Sequence, residues 1–254
     1  MLYRLKRHPI PIKAHFEFSL VLAYAFPGQA LAPLLPPGLK LDTYEDFGFL
    51  AIAMVRTRQL RPSFLPAFLG HSFFLTGYRI FVRHQEHDTG RNLRGLRILR
   101  SDTDHRLMAF FGNRLTHYNY RPARVNWTRT PDAVEIDIRT PNGHADLHVR
   151  ADLTTRPAPL PDSSPFPDLQ TACRFAGPLP FTFDYEPQTH SIVKIQGVRE
   201  HWDPQPIRVD VTRATFFDHP PFNQLGTPRL ANAFYLEDVP YQWKRGRRER
   251  LPRD

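Results

Sequence analysis

Charged and hydrogen-bonding side chains interrupt apolar ones throughout Gly90 to Tyr120, where the chain reads GRNLRGLRILRSDTDHRLMAFFGNRLTHYNY. Arg97, Arg100, Asp102, Asp104, Arg106, Arg114, His117, Tyr118 and Tyr120 all fall in this stretch. An unpaired charge is costly to bury, so such a mixture is either solvated or a polar network at a cleft. His117 can exchange a proton near neutral pH, while Tyr118 and Tyr120 can donate hydrogen bonds. Upstream, Phe73, Leu75, Gly77, Arg79 and Phe81 alternate with Phe74, Thr76, Tyr78, Ile80 and Val82, which places Arg79 on one face of an apolar strand. A buried guanidinium there needs an acid such as Asp102, or a ligand carboxylate that accepts two parallel hydrogen bonds from its fork. The candidate ligand-binding residues are Arg79, Arg97, Asp102, Asp104, His117, Tyr118 and Tyr120, with His117 the candidate catalytic group or, alternatively, a structural histidine.

The elements that would position them are mostly strands. His15 to Ala25, Leu39 to Tyr44, Phe47 to Arg58, His71 to Arg83 and Leu93 to Ser101 read as strands, with Leu96 and Ile98 on one side of the last and Arg97 and Leu99 on the other. Asp102 or Asp104 is placed to cap a helix running to about Phe111, with Gly112-Asn113 as its stop, before a strand from Leu115 to Val125. The alternation from Ala133 to Leu153 around Pro141-Asn142-Gly143 predicts a β-hairpin. Further strands are expected at Thr182 to Tyr185, Ile192 to Gly197 and Ile207 to Phe217, and a short helix at Leu169 to Phe175. Arg61 to Gly70 and Phe216 to Phe222 are proline-stiffened apolar covers, and they leave a homodimer open.

With 254 residues, 26 of them proline, the chain is long enough for a large core and favours short strands and turns over long helices. The net charge of +9 sits at the ends: four basic and no acidic residues lie in 1–13, and six basic against two acidic in 244–254, which leaves the body near +1. That distribution argues against a specific nucleic-acid surface. One domain over 1–243 and a basic, flexible tail over 244–254 are expected. The N-terminal basic and apolar runs mimic a secretory signal, but Pro9, Pro11, His15 and Glu17 break the pattern. No apolar run is long enough to span a membrane. The single Cys173 fits a reducing cytoplasm. His84 and His87 lack a third ligand, and no nucleotide, zinc or nucleophile motif is present, so neither metal nor cofactor is expected.

LLPPGLKLDTY, GFLAIAMV, FFLTGYRIFVR, GLRILRSDTD and GNRLTHYNY occur in that order between about His15 and Val125. Together they resemble the uncharacterised bacterial family labelled domain of unknown function 2071, which is grouped with the acetoacetate-decarboxylase-like fold. The resemblance implies an α+β protein, mainly antiparallel β, built as a barrel or cone with a few short helices around a closed cavity. It also implies a lysine pair for Schiff-base chemistry, from which this chain departs. Lys6, Lys13, Lys40, Lys194 and Lys244 are its lysines, no two adjacent, and the expected pair is replaced by Asn113-Arg114-Leu115-Thr116-His117-Tyr118. A Schiff-base decarboxylase would therefore need Lys194 in the cavity. The leading expectation is a cytoplasmic protein that holds a small carboxylate or carbonyl metabolite. One alternative is a lysine-independent lyase, hydratase or isomerase using His117 and an arginine. Another is an interaction protein whose basic ends bind nucleic acid or membrane.

Overall fold

A computed structural model describes residues 2–175 and 179–252. Its strands, in chain order, are β1 (Ile12–Pro27), β2 (Lys40–Leu41), β3 (Thr43–Tyr44), β4 (Phe47–Pro62), β5 (His71–Gln85), β6 (Asn92–Thr103), β7 (Tyr120–Pro122), β8 (Arg124–Arg129), β9 (Ala133–Arg139), β10 (Leu147–Asp152), β11 (Phe181–Glu186), β12 (Ser191–Arg199), β13 (Gln205–Pro206), β14 (Arg208–Ala214), β15 (Arg229–Trp243) and β16 (Arg247–Arg250). The helices are short: α1 (Gly28–Leu31), α2 (Arg106–Leu115) and α3 (Leu169–Phe175). The result is an α+β fold dominated by antiparallel pairing.

Among the described residues, seven strands close into a ring in the order β15, β1, β4, β5, β6, β11, β12 and back to β15. One junction is parallel and brief: β6 meets β11 through Gly95 with Phe181 and Leu96 with Thr182. Farther along, β6 pairs instead with β7, Ser101 facing Tyr120. Two separate segments thus share that flank of β6, with Tyr118 buried just before the second.

A second sheet, in the order β14, β10, β9, β8, covers one outer side of the ring. Phe18, Leu20, Leu22, Ile52, Met54, Tyr78 and Ile80 on the ring pack in one cluster with Val134, Ile136, Ile138, Leu147 and Val149 of this sheet. The opposite face of the same ring strands packs inward, through Val21, Ala51, Ala53, Val55 and Phe81. Burial on both faces explains why Phe18 to Phe26 and Phe49 to Val55 are nearly unbroken apolar runs rather than alternations.

Bulges redirect side chains within the long strands. In β6, Tyr78 pairs with Arg100 but Arg79 pairs with Ile98, leaving Leu99 as an extra residue. In β15, Asp238 has a left-handed backbone (φ 57°), and the inward residues change from Phe234 and Leu236 before it to Val239 and Tyr241 after it.

Several expectations need correction. The cap of α2 is His105, whose Nδ1 accepts from the Met108 N–H at 3.2 Å, rather than Asp102 or Asp104. The helix continues to Leu115 because Gly112 lies within it, where its bare Cα lets the helix sit against the Tyr120 ring. The expected strand from Leu115 is consequently only β7, followed separately by β8. Arg61 to Gly70 does not cover the core: Phe64 and Phe68 are 72% and 82% exposed. Residues 244–252 are not a loose extension either. β16 pairs with Ser191–Lys194 of β12, and Glu249 bonds Lys194 at 2.5 Å and His84 at 3.2 Å.

Candidate functional site

The ring encloses a cavity of about 120 Å³, walled mainly by apolar side chains such as Phe16, Val55, Phe81, Ile98 and Phe234. Its polar lining is Ser19, Thr76, Arg79, Ser101, Tyr118, Tyr120, Thr182, Arg199 and Tyr241, with the indoles of Trp202 and Trp243. Strand parity delivers these groups. Arg79 follows Leu75 and Gly77 on the inner face of β5; Arg199 continues the inner series of β12.

Arg79 is enclosed by protein, and what remains of its surface faces the cavity. It makes no ion pair among the described residues, and its buried Nε has no hydrogen-bond partner. Burial pulls its pKa down, opposed by the neighbouring Tyr241, Tyr118 and Tyr120, yet an arginine remains protonated. The guanidinium lies over Gly77, where an added Cβ would come 2.8 Å from Nε.

Arg199 is the second cation. It stacks over the Trp202 ring at 3.9 Å, its buried Nη2 also lacks a partner, and its pKa is lowered by burial and by the charge of Arg79. Burial holds Tyr118 and Tyr120 far above the usual tyrosine range and raises Tyr241 as well. They therefore stay protonated at neutral pH, as hydroxyl donors. Among the described residues no carboxylate, lysine, histidine or cysteine lines this cavity. It is a site with two positive charges and several donors, lacking the negative partner that buried cations require.

Of the residues expected to bind ligand, Arg79, Tyr118 and Tyr120 come together here. The other four do not. Arg97 bonds Asp184 at 2.6 Å, and Asp102 receives both of its hydrogen bonds from Arg100 at 2.9 Å. Arg79 and Asp102 do not form the expected ion pair because the extra residue Leu99 shifts the parity of β6 and turns Asp102 to the outer face. Asp104 is exposed and accepts the Phe74 N–H at 2.8 Å. His117 is not part of the cavity lining, and burial, with Lys6 and Arg97 nearby, depresses its pKa to about 4. A neutral imidazole outside the lining is not positioned to move a proton for a bound ligand.

The model of an uncharacterized conserved protein family, DUF2071 (COG2071), matches residues 13–240. The chain belongs to this family. For the DUF2071 fold, solved structures give independent support. The enduracididine biosynthesis enzyme MppR complexed with pyruvate superposes with a TM-score of 0.64 at 12% identity, covering 94% of this chain and 90% of that one. An acetoacetate decarboxylase-like enzyme from Sphingomonas wittichii RW1 gives 0.63 at 12% identity, covering 98% and 96%. Acetoacetate decarboxylase from Legionella pneumophila subsp. pneumophila str. Philadelphia 1 gives 0.61 at 12%, covering 95% and 88%. The fold is thus acetoacetate-decarboxylase-like. No curated protein sequence matches the chain.

Among the described residues of this DUF2071 chain, no lysine lines the cavity. Lys194 lies on the other face of β12, bonded to Glu86 at 2.6 Å and Glu249 at 2.5 Å. Burial opposes its charge, but those two carboxylates outweigh burial and raise its pKa, the opposite of what an amine nucleophile needs. Arg199, Tyr241 and Trp202 escaped the sequence reading. Arg199 was within reach of it: Val193, Ile195 and Gly197 share its parity, and the strand had only to run two residues farther.

Proposed function

We propose that the ring cavity binds an anionic small molecule, a carboxylate or a keto acid, between Arg79 and Arg199, with the tyrosine hydroxyls donating to its oxygens. The observation that carries this reading is the Arg79 guanidinium, which among the described residues has no ion-pair partner and lies in a cavity lined by no acidic residue. An anion there converts an uncompensated buried charge into a bidentate, charge-assisted pair. The ketoacid pyruvate in the complex with MppR, a protein of the same fold, is a ligand of this class. Binding rather than Schiff-base catalysis is the reading that suits a lining with no amine among the described residues.

Isothermal titration of pyruvate, acetoacetate and benzoate against the wild type and Arg79→Met tests this. Saturable binding by the wild type, lost in a variant that unfolds at the same temperature or higher, is the expected result. Equal affinity in both proteins would refute the assignment.

A further inference from the structure

A second cavity, of about 310 Å³, adjoins the first and has a different character. It lies between α2, the N-terminal segment and the ends of β4 and β5. Ile10, Ile12, Leu60, Phe73, Met108 and Leu115 contribute to its walls. Among the described residues no aspartate, glutamate, lysine or arginine lines it. Its polar lining includes His8, which burial holds neutral with a pKa of about 4, and His105, which caps α2. Leu107 and Phe111 also line it while remaining 53% exposed, so this chamber opens to the surface beside α2.

The two cavities meet at a common boundary. Leu75, Tyr118, Tyr120 and Trp243 line both. On one side of these four residues lie two cations with no ion pair among the described residues; on the other lies an apolar space more than twice as large. Taken together the volumes enter the range of roughly 300–1,000 Å³ found for ligand sites, whereas the cationic chamber alone is too small for more than a compact acid.

Resting on the carboxylate reading above, we infer that the ligand is an amphiphilic acid, a carboxylate carrying an unbranched or aromatic apolar tail. Its head pairs with Arg79 and its tail passes the four boundary residues into the chamber under α2. Polarity sorts the two ends: a charged head has no partner under α2, and a hydrocarbon tail leaves the two arginines unpaired if it is inserted first. The exposed apolar residues of the mouth suit entry of a hydrocarbon chain. The loop from Ser63 to Gly70, which leaves this chamber's wall at Pro62 and rejoins it at His71, adds the exposed Phe64, Phe68 and Leu69.

The test is titration of acetate, butyrate, octanoate and dodecanoate, with dodecanol as the tail lacking a charged head. Each methylene buried contributes about 0.8 kcal/mol, a three- to fourfold gain, so octanoate should bind on the order of a hundredfold more tightly than butyrate. Two variants remove the tail site and spare the head site: Met108→Trp fills the chamber, and Leu107→Glu places a charge at its half-exposed mouth without a core cost. Both should erase the chain-length gain and keep the butyrate affinity; Arg79→Met should lose every acid. Affinity that depends on Arg79 but not on chain length would overturn the amphiphile while leaving the anion site standing. Dodecanol binding as tightly as dodecanoate would overturn it too. Failure of every acid would overturn both readings.

Discussion

Arg97, Arg100 and Arg94 on ring strand β6, and Arg7 in the N-terminal segment, each face a buried carboxylate, whereas Arg79 and Arg199 on ring strands β5 and β12 face none among the described residues. In the shell the pairs are Arg97 with Asp184, Arg100 with Asp102, Arg94 and Arg83 with Asp42, and Arg7 with Glu186; all four of these acids have fully buried side chains. The shell arginines neutralise acids that the fold has already buried. Cavity arginines have no such duty, and their charge is available to something from outside. One residue type therefore holds structure in one region and offers a binding charge in the other, and what separates the two is a carboxylate within reach.

The largest effect should come from cutting a shell pair. Arg97→Ala leaves Asp184 buried without its cation, a loss of about 3–5 kcal/mol in stability by chemical denaturation. Burial already raises the Asp184 pKa to about 6 against the pull of Arg97, so the loss should be greater at pH 8 than at pH 5, where the carboxyl can protonate. Acid binding measured well below the melting temperature should survive.

Arg79→Met should show the reverse pattern. Removing a buried charge that has no partner leaves stability unchanged or raised, while carboxylate affinity falls by about 2 kcal/mol or more, roughly thirtyfold. If this variant unfolds as readily as Arg97→Ala, the two regions are not different in kind and the comparison collapses.

Gly77→Ala sharpens the distinction at smaller amplitude. The new methyl group lies 2.8 Å from the present Arg79 Nε, so the guanidinium must swing aside. A several-fold weaker affinity should accompany a stability change within about 1 kcal/mol. An unchanged dissociation constant would mean that the fork is not held in its binding position.

The effect least visible in the wild type is a pH dependence in the shell. His117 has a folded pKa of about 4, below its ordinary 6.5, so the unfolded chain binds the extra proton between those values. Its contribution to stability is present above about pH 6.5 and is lost as pH falls toward 4. Asp102 and Asp184, both raised to about 6, slope the opposite way in much of that window, so the wild-type curve partly conceals the histidine. Subtracting the His117→Phe curve from it should expose a decline from pH 6.5 to 4, and a proton NMR titration should place the imidazole near 4.

Much of the ring was legible in the sequence because long apolar alternations such as Phe73 to Val82 have no helical interpretation. Arg79 could be placed on an inner face by counting residues in twos. The same counting failed wherever a strand gained a residue. Without the bulge at Leu99, Asp102 would share the inner face of Leu96, Ile98 and Arg79; with it, Asp102 turns outward and belongs to Arg100. The left-handed backbone at Asp238 likewise switches the inward face of β15 and brings Tyr241 inward, without a shift in its pairing to β1. Such irregularities satisfy local backbone geometry and leave no periodic trace, so parity is trustworthy only between them. His117 was misplaced for a different reason: α2 extends through Gly112, a residue that resembles a stop and serves instead as a contact for Tyr120.

Closure of the ring also bears on how copies of the protein meet. A strand bonded on both sides offers no backbone to a newcomer, and β15, with β1 on one flank and β12 on the other, belongs to that kind. In the second sheet the outermost strands are β8, reading RVNWTR, and β14, reading RVDVTRA, while β16 beside the ring reads RRER. Another chain adding itself there would set its own backbone against a row of arginines, an arrangement that discourages runaway sheet extension and fibre growth.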